Sequence, residues 1–228
     1  MKLFLVRNAE TLWNREGRLQ GHQDSPLTED GKKQALLLAD LLKSERFDAA
    51  YSSDLGRAID TAKTIVSLHS GLEFQRKSEL RERSHGIVQG MTQSDAYKKY
   101  PDLQKQRLKN KFLFKNPKGE SYSDAIERLK PLWEEIKKKH SNQSVLVVAH
   151  GGTTRLLLGL ATGVKPEEVL SIDQPHECIY IVENAENNAM VKYWTSSGIF
   201  NGALKRVQLK KMPKIAEDEE EVGLEDDF

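Results

Sequence analysis

The chain has 228 residues, 38% of them hydrophobic and 30% charged, which suits one large domain with a sizeable core and excludes the disordered class. Its single cysteine, Cys178, excludes an internal disulfide framework and every Cys-x-x-Cys zinc pattern, and fits a reducing compartment. Net charge is +1, yet eight acids and no base fall between Ala216 and Phe228, so the other 215 residues hold 35 basic and 26 acidic side chains, a formal +9. Such a body suits an anionic small-molecule ligand or a plainly solvated surface, and its charge is too diffuse to argue for nucleic acid.

Leu3–Val6 is a short continuous apolar run, which predicts a strand covered on both faces. Thr28-Glu29-Asp30-Gly31 predicts a helix start, with Thr28 as N-cap and Ala35, Leu38, Ala39 and Leu42 at helical spacing behind it. Asp48–Ser52 reads as a second strand, and about Asp54–His69 as the helix that follows. No strand is predicted between 84 and 120, only helices and loops. From Glu120 or Ser121 a helix runs through Ile126, Leu129, Leu132, Trp133 and Ile136. Val145–Ala149 is the most apolar strand, with a helix from Thr153 to Ala161 after it. Ile179–Val182 and Met190–Trp194 read as a closing pair around the polar turn Glu186-Asn187-Asn188.

Strands alternating with helices predict an α/β fold with a mainly parallel sheet, and no internal repeat is visible. Leu3–Val6 is too short for a signal-peptide core and runs into Arg7. The stretch 145–164 carries His150, Gly151, Gly152 and Arg155, which spoils it as a membrane span. The expectation is a soluble cytoplasmic protein, with a domain over residues 1–204 and a charged, disordered acidic tail over 205–228. A weaker alternative has the acids docking on the basic body, with salt-dependent behaviour as its mark.

Two segments end an apolar strand abruptly in polar or cationic residues: Arg7-Asn8-Ala9-Glu10 and His150-Gly151-Gly152. Ligands of open α/β sheets bind outside the carboxyl ends of strands, and the helix after Gly151 offers free N–H groups to an anion. Arg57, near a helix start after Ser52-Ser53-Asp54, is a third candidate and could join Arg7 in a forked clamp on a tetrahedral anion. Alone, an arginine after a strand reads as a surface ion pair; the three segments together are less easily dismissed.

The order Leu5-Val6-Arg7-Asn8-Ala9-Glu10-Thr11, Gln20-Gly21-x-x-Asp24-x-Pro26-Leu27-Thr28, Ser52-Ser53-Asp54-Leu55-x-Arg57-Ala58, Leu80-Arg81-Glu82, Gly119-Glu120-Ser121 and His150-Gly151-Gly152-x-x-Arg155 resembles the histidine phosphatase superfamily, in its phosphoglycerate-mutase-like branch. The resemblance spans roughly residues 3–200. It implies a three-layer α/β/α sandwich and phosphoryl transfer through a phosphohistidine, with no metal and no cofactor. It also implies that Arg7, Arg57, His150 and the Gly151 backbone form a phosphate pocket, with His150 protonated or hydrogen-bonding. Glu82 matches the general acid, and Asn14 and Gln20 match polar positions beside the pocket.

One departure outweighs these matches. The family opens on Arg-His-Gly, with the histidine as nucleophile, and this chain has Arg7-Asn8-Ala9. An amide nitrogen has a delocalised lone pair and cannot take up a phosphoryl group, although Asn8 can still donate a hydrogen bond. His22 and His85 come from no strand end that would place them in line with a leaving group. His69 and His140 read as surface residues at helix ends, and His176 as structural or at the pocket edge.

The resemblance therefore leaves two readings open: a phosphatase of small phosphorylated metabolites that binds phosphate but is nearly inactive as it stands, or a natural pseudoenzyme serving as a binding module. Mutase activity is a further alternative, disfavoured because Met91–Glu120 lacks the long insertion of mutases. The chain is expected to be a monomer or a homodimer.

Overall fold

The computed structural model describes residues 1–165, 168–185 and 188–204; the expected acidic tail and part of the polar turn at 186–188 lie outside the described residues. The strands are β1 (Lys2–Arg7), β2 (Ala49–Ser53), β3 (Phe74–Lys77), β4 (Ser144–Ala149), β5 (Ile179–Glu183), β6 (Met190–Thr195) and β7 (Gly198–Asn201). The helices are α1 (Leu12–Arg15), α2 (Glu29–Leu42), α3 (Gly56–Val66), α4 (Gln93–Lys99), α5 (Pro101–Lys109), α6 (Tyr122–Lys139) and α7 (Gly151–Thr162). Among the described residues the strands form one sheet in the order β3-β2-β4-β1-β5-β6-β7.

β1 and β4 are parallel neighbours at its centre, with Arg7 opposite Ala149, and β2 runs parallel on the far side of β4. β5, β6 and β7 close the sheet antiparallel. This register puts the ends of β1, β2 and β4 along one edge, where a ligand crevice belongs.

Side-chain alternation divides the core. Leu3 and Leu5 of β1 with Val145 and Val147 of β4 pack against Leu129, Trp133 and Ile136 of α6 and Leu157 of α7. Phe4 and Val6 with Leu146 and Val148 pack on the other face, against Leu38 and Leu42 of α2 and Ala62 and Ile65 of α3. Central strands with two buried faces explain the uninterrupted apolar runs, and the result is the expected three-layer α/β/α sandwich. A smaller cluster of Leu19, Val88, Ala96, Leu103 and Phe114 holds α4 and α5 as a cap beside the sheet end.

Local chemistry sets the element ends. The Thr28 hydroxyl accepts from the Gly31 N–H at 2.8 Å, and Ser121 with Asp124 forms a reciprocal cap at the start of α6. No helix among the described residues is long and apolar enough to cross a membrane.

Candidate active site

A narrow cleft opens at the carboxyl ends of β1 and β4. Arg7, Asn8, Asn14, Gln20, Arg57, Glu82, His150 and Gly151 all line it, so the eight residues singled out from the sequence share one site; Arg18, Leu19, Gly21 and His85 complete the lining.

Each cation is fastened by backbone. Arg7 Nη1 donates to the Gln174 carbonyl at 2.8 Å. Arg57 Nη2 donates to the Gly21 carbonyl at 2.8 Å, and its Nη1 to the Gln23 carbonyl at 2.7 Å and to Asp24 Oδ1 at 2.9 Å. Gly21 adopts φ +56°, a left-handed conformation that glycine takes without strain and that shapes the turn offering its carbonyl. Burial draws the Arg57 guanidinium down and Asp24 opposes it; a guanidinium stays charged under both.

Glu82 sits at the start of α7. Its Oε1 accepts from the Arg83 N–H at 2.7 Å and its Oε2 from the Gly152 N–H at 2.8 Å. A Cβ on Gly152 would collide with that carboxylate, so glycine is needed for the approach. The loop bearing Glu82 is tied to α6 by Glu120, which accepts from Arg128 Nε at 2.9 Å and from the Ser84 N–H at 2.9 Å. Burial works to raise the Glu120 carboxyl, and the donors of His22, Arg128 and Ser84 overcome it, holding the group well below the usual carboxylate range.

Asn8 is held at both ends of its side chain. Its Nδ2 donates to the Ala9 carbonyl at 2.9 Å. A carbonyl only accepts, so the other end of the amide is Oδ1, which receives His150 Nδ1 at 3.0 Å. Both ends of the amide are thus engaged inside the protein, with one of the two Nδ2 hydrogens spent on the backbone and the second left to donate.

The same pairing fixes His150. Nδ1 must carry the proton, and Nε2 meets the Ser53 hydroxyl at 2.8 Å. Burial, reinforced by the charges of Arg57 and Arg7, holds the imidazole well below its ordinary value. His150 is thus hydrogen-bonded at both ring nitrogens, and its burial favours the neutral form. Ser53, the last residue of β2, went unassigned in the sequence reading; its place at a strand end beside two other strand ends was the available signal.

The remaining histidines divide. His85 reaches the cleft wall. His22 lies 3.6 Å from Glu120 Oε2. His176 Nδ1 donates to the Asn8 carbonyl at 2.7 Å, beneath the site. His140, expected at the surface, is buried, with Nε2 against the Tyr51 hydroxyl at 2.8 Å. No group of three or more His, Cys, Asp and Glu among the described residues is arranged to hold a metal.

Two neutral histidines beneath and within the site predict acid sensitivity. Burial, with Arg7 adding to it, pushes His176 down to about 3, while the unfolded chain titrates near 6.5. Below that value the unfolded state binds more protons, so the stability from keeping His176 neutral is complete above about pH 6.5 and declines as pH falls. At pH 5 the loss from His176 is about 1–2 kcal/mol, discounted because the ring is only half-buried. Urea denaturation at pH 7.5 and 5.0 checks this: His176→Asn should lose less stability than the parent, and equal losses would contradict the assignment.

The model of the histidine phosphatase superfamily (branch 1) matches residues 3–197. Phosphoserine phosphatase 1 of Hydrogenobacter thermophilus is 38% identical over 164 residues, 72% of this chain and 77% of that protein. The metal-independent phosphoserine phosphatase of Arabidopsis thaliana is 39% identical over 158 residues, 68% of this chain and 66% of that protein. Among solved structures, YhfR of Bacillus stearothermophilus superposes with a TM-score of 0.75 at 28% identity, covering 82% of this chain and 93% of that one. With the fold, the crevice and nearly the whole length in agreement, the chain belongs to branch 1 of the histidine phosphatase superfamily.

Proposed function

We propose that the protein binds small phosphate monoesters in this cleft and, with asparagine at the nucleophile position, scarcely turns them over. Arg7, Arg57 and the Gly151 N–H receive the phosphoryl group, the last because the first N–H groups of a helix have no helical acceptor, while His150 lines the pocket with its Nδ1–H held by Asn8. Glu82 stands as the acid for the leaving oxygen, and Asn14 and Gln20 border the ester. The observation carrying this reading is the Asn8 amide, spent on Ala9 and His150, beneath two anchored guanidinium groups.

In the family's chemistry an imidazole nitrogen attacks phosphorus in line, the ester P–O bond breaks, and the leaving oxygen takes a proton from the acid. Water, giving its proton to the same carboxylate, then cleaves the P–N bond. Asn8 supplies no electron pair for the first step. Mutase chemistry needs the same phosphoenzyme, and the short segment Met91–Glu120 argues against it separately. The two relatives named above carry phosphoserine in their names, which makes phosphoserine a natural probe. The lone buried Cys178 suits a cytoplasmic setting.

Calorimetric titration with inorganic phosphate tests the reading, beside turnover of phosphoserine and p-nitrophenyl phosphate. Phosphate should bind, and Arg57→Ala should weaken it by roughly 10- to 100-fold, the worth of charge-assisted hydrogen bonds. Turnover should stay near the blank. Ordinary enzymatic rates that Arg57→Ala abolishes would overturn the account of Asn8.

A further inference from the structure

We propose that Ser53 is a positioning residue: its hydroxyl donates to His150 Nε2 and so keeps the ring proton on Nδ1, the nitrogen turned toward position 8 of the cleft. The proposal rests on the phosphate-binding reading above and adds a residue to it. Ser53 ends β2, His150 follows β4 and Asn8 follows β1. The three strands are parallel neighbours, with Ser52 opposite Val148 and Arg7 opposite Ala149. The Asn8 N–H reaches the Ala149 carbonyl at 2.8 Å, so the register carries one residue past the end of β1. All three side chains are buried, where polar atoms are held by fixed partners and not by solvent.

The hydrogen bonds linking them have one consistent direction. At one end the Ala9 carbonyl only accepts, which makes the Asn8 atom beside it the amide nitrogen and turns Oδ1 to His150. His150 Nδ1 therefore carries a proton, and in the neutral ring Nε2 is a bare acceptor. At the other end the Leu55 N–H donates to Ser53 Oγ at 3.3 Å, which leaves the hydroxyl proton for Nε2, 2.8 Å away. The neighbouring Ser52 shows what a strand hydroxyl does otherwise: it donates to a backbone carbonyl, that of Ser53, at 2.9 Å. Ser53 and Asn8 thus hold the same tautomer from opposite sides of the ring. Histidine at position 8 has no Oδ1 and withdraws one of the two, so Ser53 then sets the tautomer alone.

Ring ¹⁵N spectra of the full chain near neutral pH test this in the Asn8→His background. His150 should show a protonated Nδ1 and a bare Nε2. Ser53→Ala should move the proton to Nε2 in a large share of molecules, and Ser53→Thr, which keeps the hydroxyl, should restore it. With Asn8 in place, Ser53→Ala should leave Nδ1 protonated, because Asn8 Oδ1 still receives it; that chain also shows that the alanine variant folds. An unmoved tautomer in the Asn8→His, Ser53→Ala chain, or a shift with Asn8 in place, overturns the proposal. A second arm reads turnover of phosphoserine. Adding Ser53→Ala to Asn8→His should lower kcat roughly 10²-fold, the cost of one donor lost to the developing charge, with KM changed by less than about three-fold. A moved tautomer with unchanged kcat would deny Ser53 its part in positioning. A moved tautomer with no turnover by any Asn8→His chain would sink the reading of Asn8 as the missing nucleophile and leave the hold of Ser53 on His150 standing.

Discussion

Asn8→His is expected to turn this protein into a working phosphatase, with kcat for a phosphate monoester rising by on the order of 10⁴- to 10⁶-fold, the span lost when covalent enzymes are stripped of their nucleophile. The geometry around Asn8 is what makes one substitution sufficient. In histidine, Nδ1 stands where Asn8 holds Nδ2, and it would inherit the hydrogen bond to the Ala9 carbonyl. That bond places the proton on Nδ1 and leaves the Nε2 lone pair directed outward, toward phosphorus. The change also removes the Oδ1 that now occupies His150, freeing the Nδ1–H of His150 for a phosphoryl oxygen. Ala9 should not obstruct: its φ is not among the positive values, so the methyl group in place of the family's glycine brings no backbone strain. The measurement is steady-state turnover of phosphoserine and p-nitrophenyl phosphate by Asn8→His beside the parent, with acid-labile phosphate on the protein as the covalent signature. A revertant that binds phosphate yet neither turns over nor becomes phosphorylated would show that the site has lost more than its nucleophile.

The sheet's centre was legible because β1 and β4 are buried on both faces, so Leu3–Val6 and Val145–Ala149 appear as apolar runs that only a covered strand tolerates. The edges were not. β3 reads Phe-Gln-Arg-Lys and β7 Gly-Ile-Phe-Asn, short and partly exposed strands whose pairing comes from a neighbour and not from their own pattern. The site divides the same way. Arg7, Arg57 and His150 stand at strand ends or helix starts, where sequence order implies position. Ser53 and His176 meet the site through contacts spanning 97 and 168 residues, which no local pattern reports. His140 misled because a helix end suggests solvent, whereas Tyr51 and Gln143 satisfy both ring nitrogens and let it stay buried. Asn8 was recognised as a substitution, but the direction of its amide depends on Ala9 and His150, and only the folded geometry supplies that.

Within the Asn8→His background, Glu82→Gln should separate good leaving groups from poor ones. The glutamine amide keeps an oxygen to accept the Gly152 N–H, so the start of α7 should hold its place. What it loses is a transferable proton. An alkyl phosphate such as phosphoserine releases a strongly basic alkoxide, and its turnover should fall by roughly 10²- to 10⁴-fold, the usual contribution of a positioned acid. The p-nitrophenolate ion leaves unaided, so transfer of the phosphoryl group to the histidine should be slowed by less than about ten-fold. The second step distinguishes the two cases further. Glu82 is also the base that activates water, so with p-nitrophenyl phosphate the variant should release one nitrophenolate per protein in a burst and then stall as the phosphohistidine. With phosphoserine no burst is expected, because the first step is itself slow. Rapid-mix kinetics would register the burst, and ³¹P spectroscopy the trapped P–N bond. Equal losses on both substrates, with no burst on either, would mean that Glu82 serves only to anchor α7, and the acid would then have to be sought elsewhere on the cleft wall, with His85 the first side chain to replace.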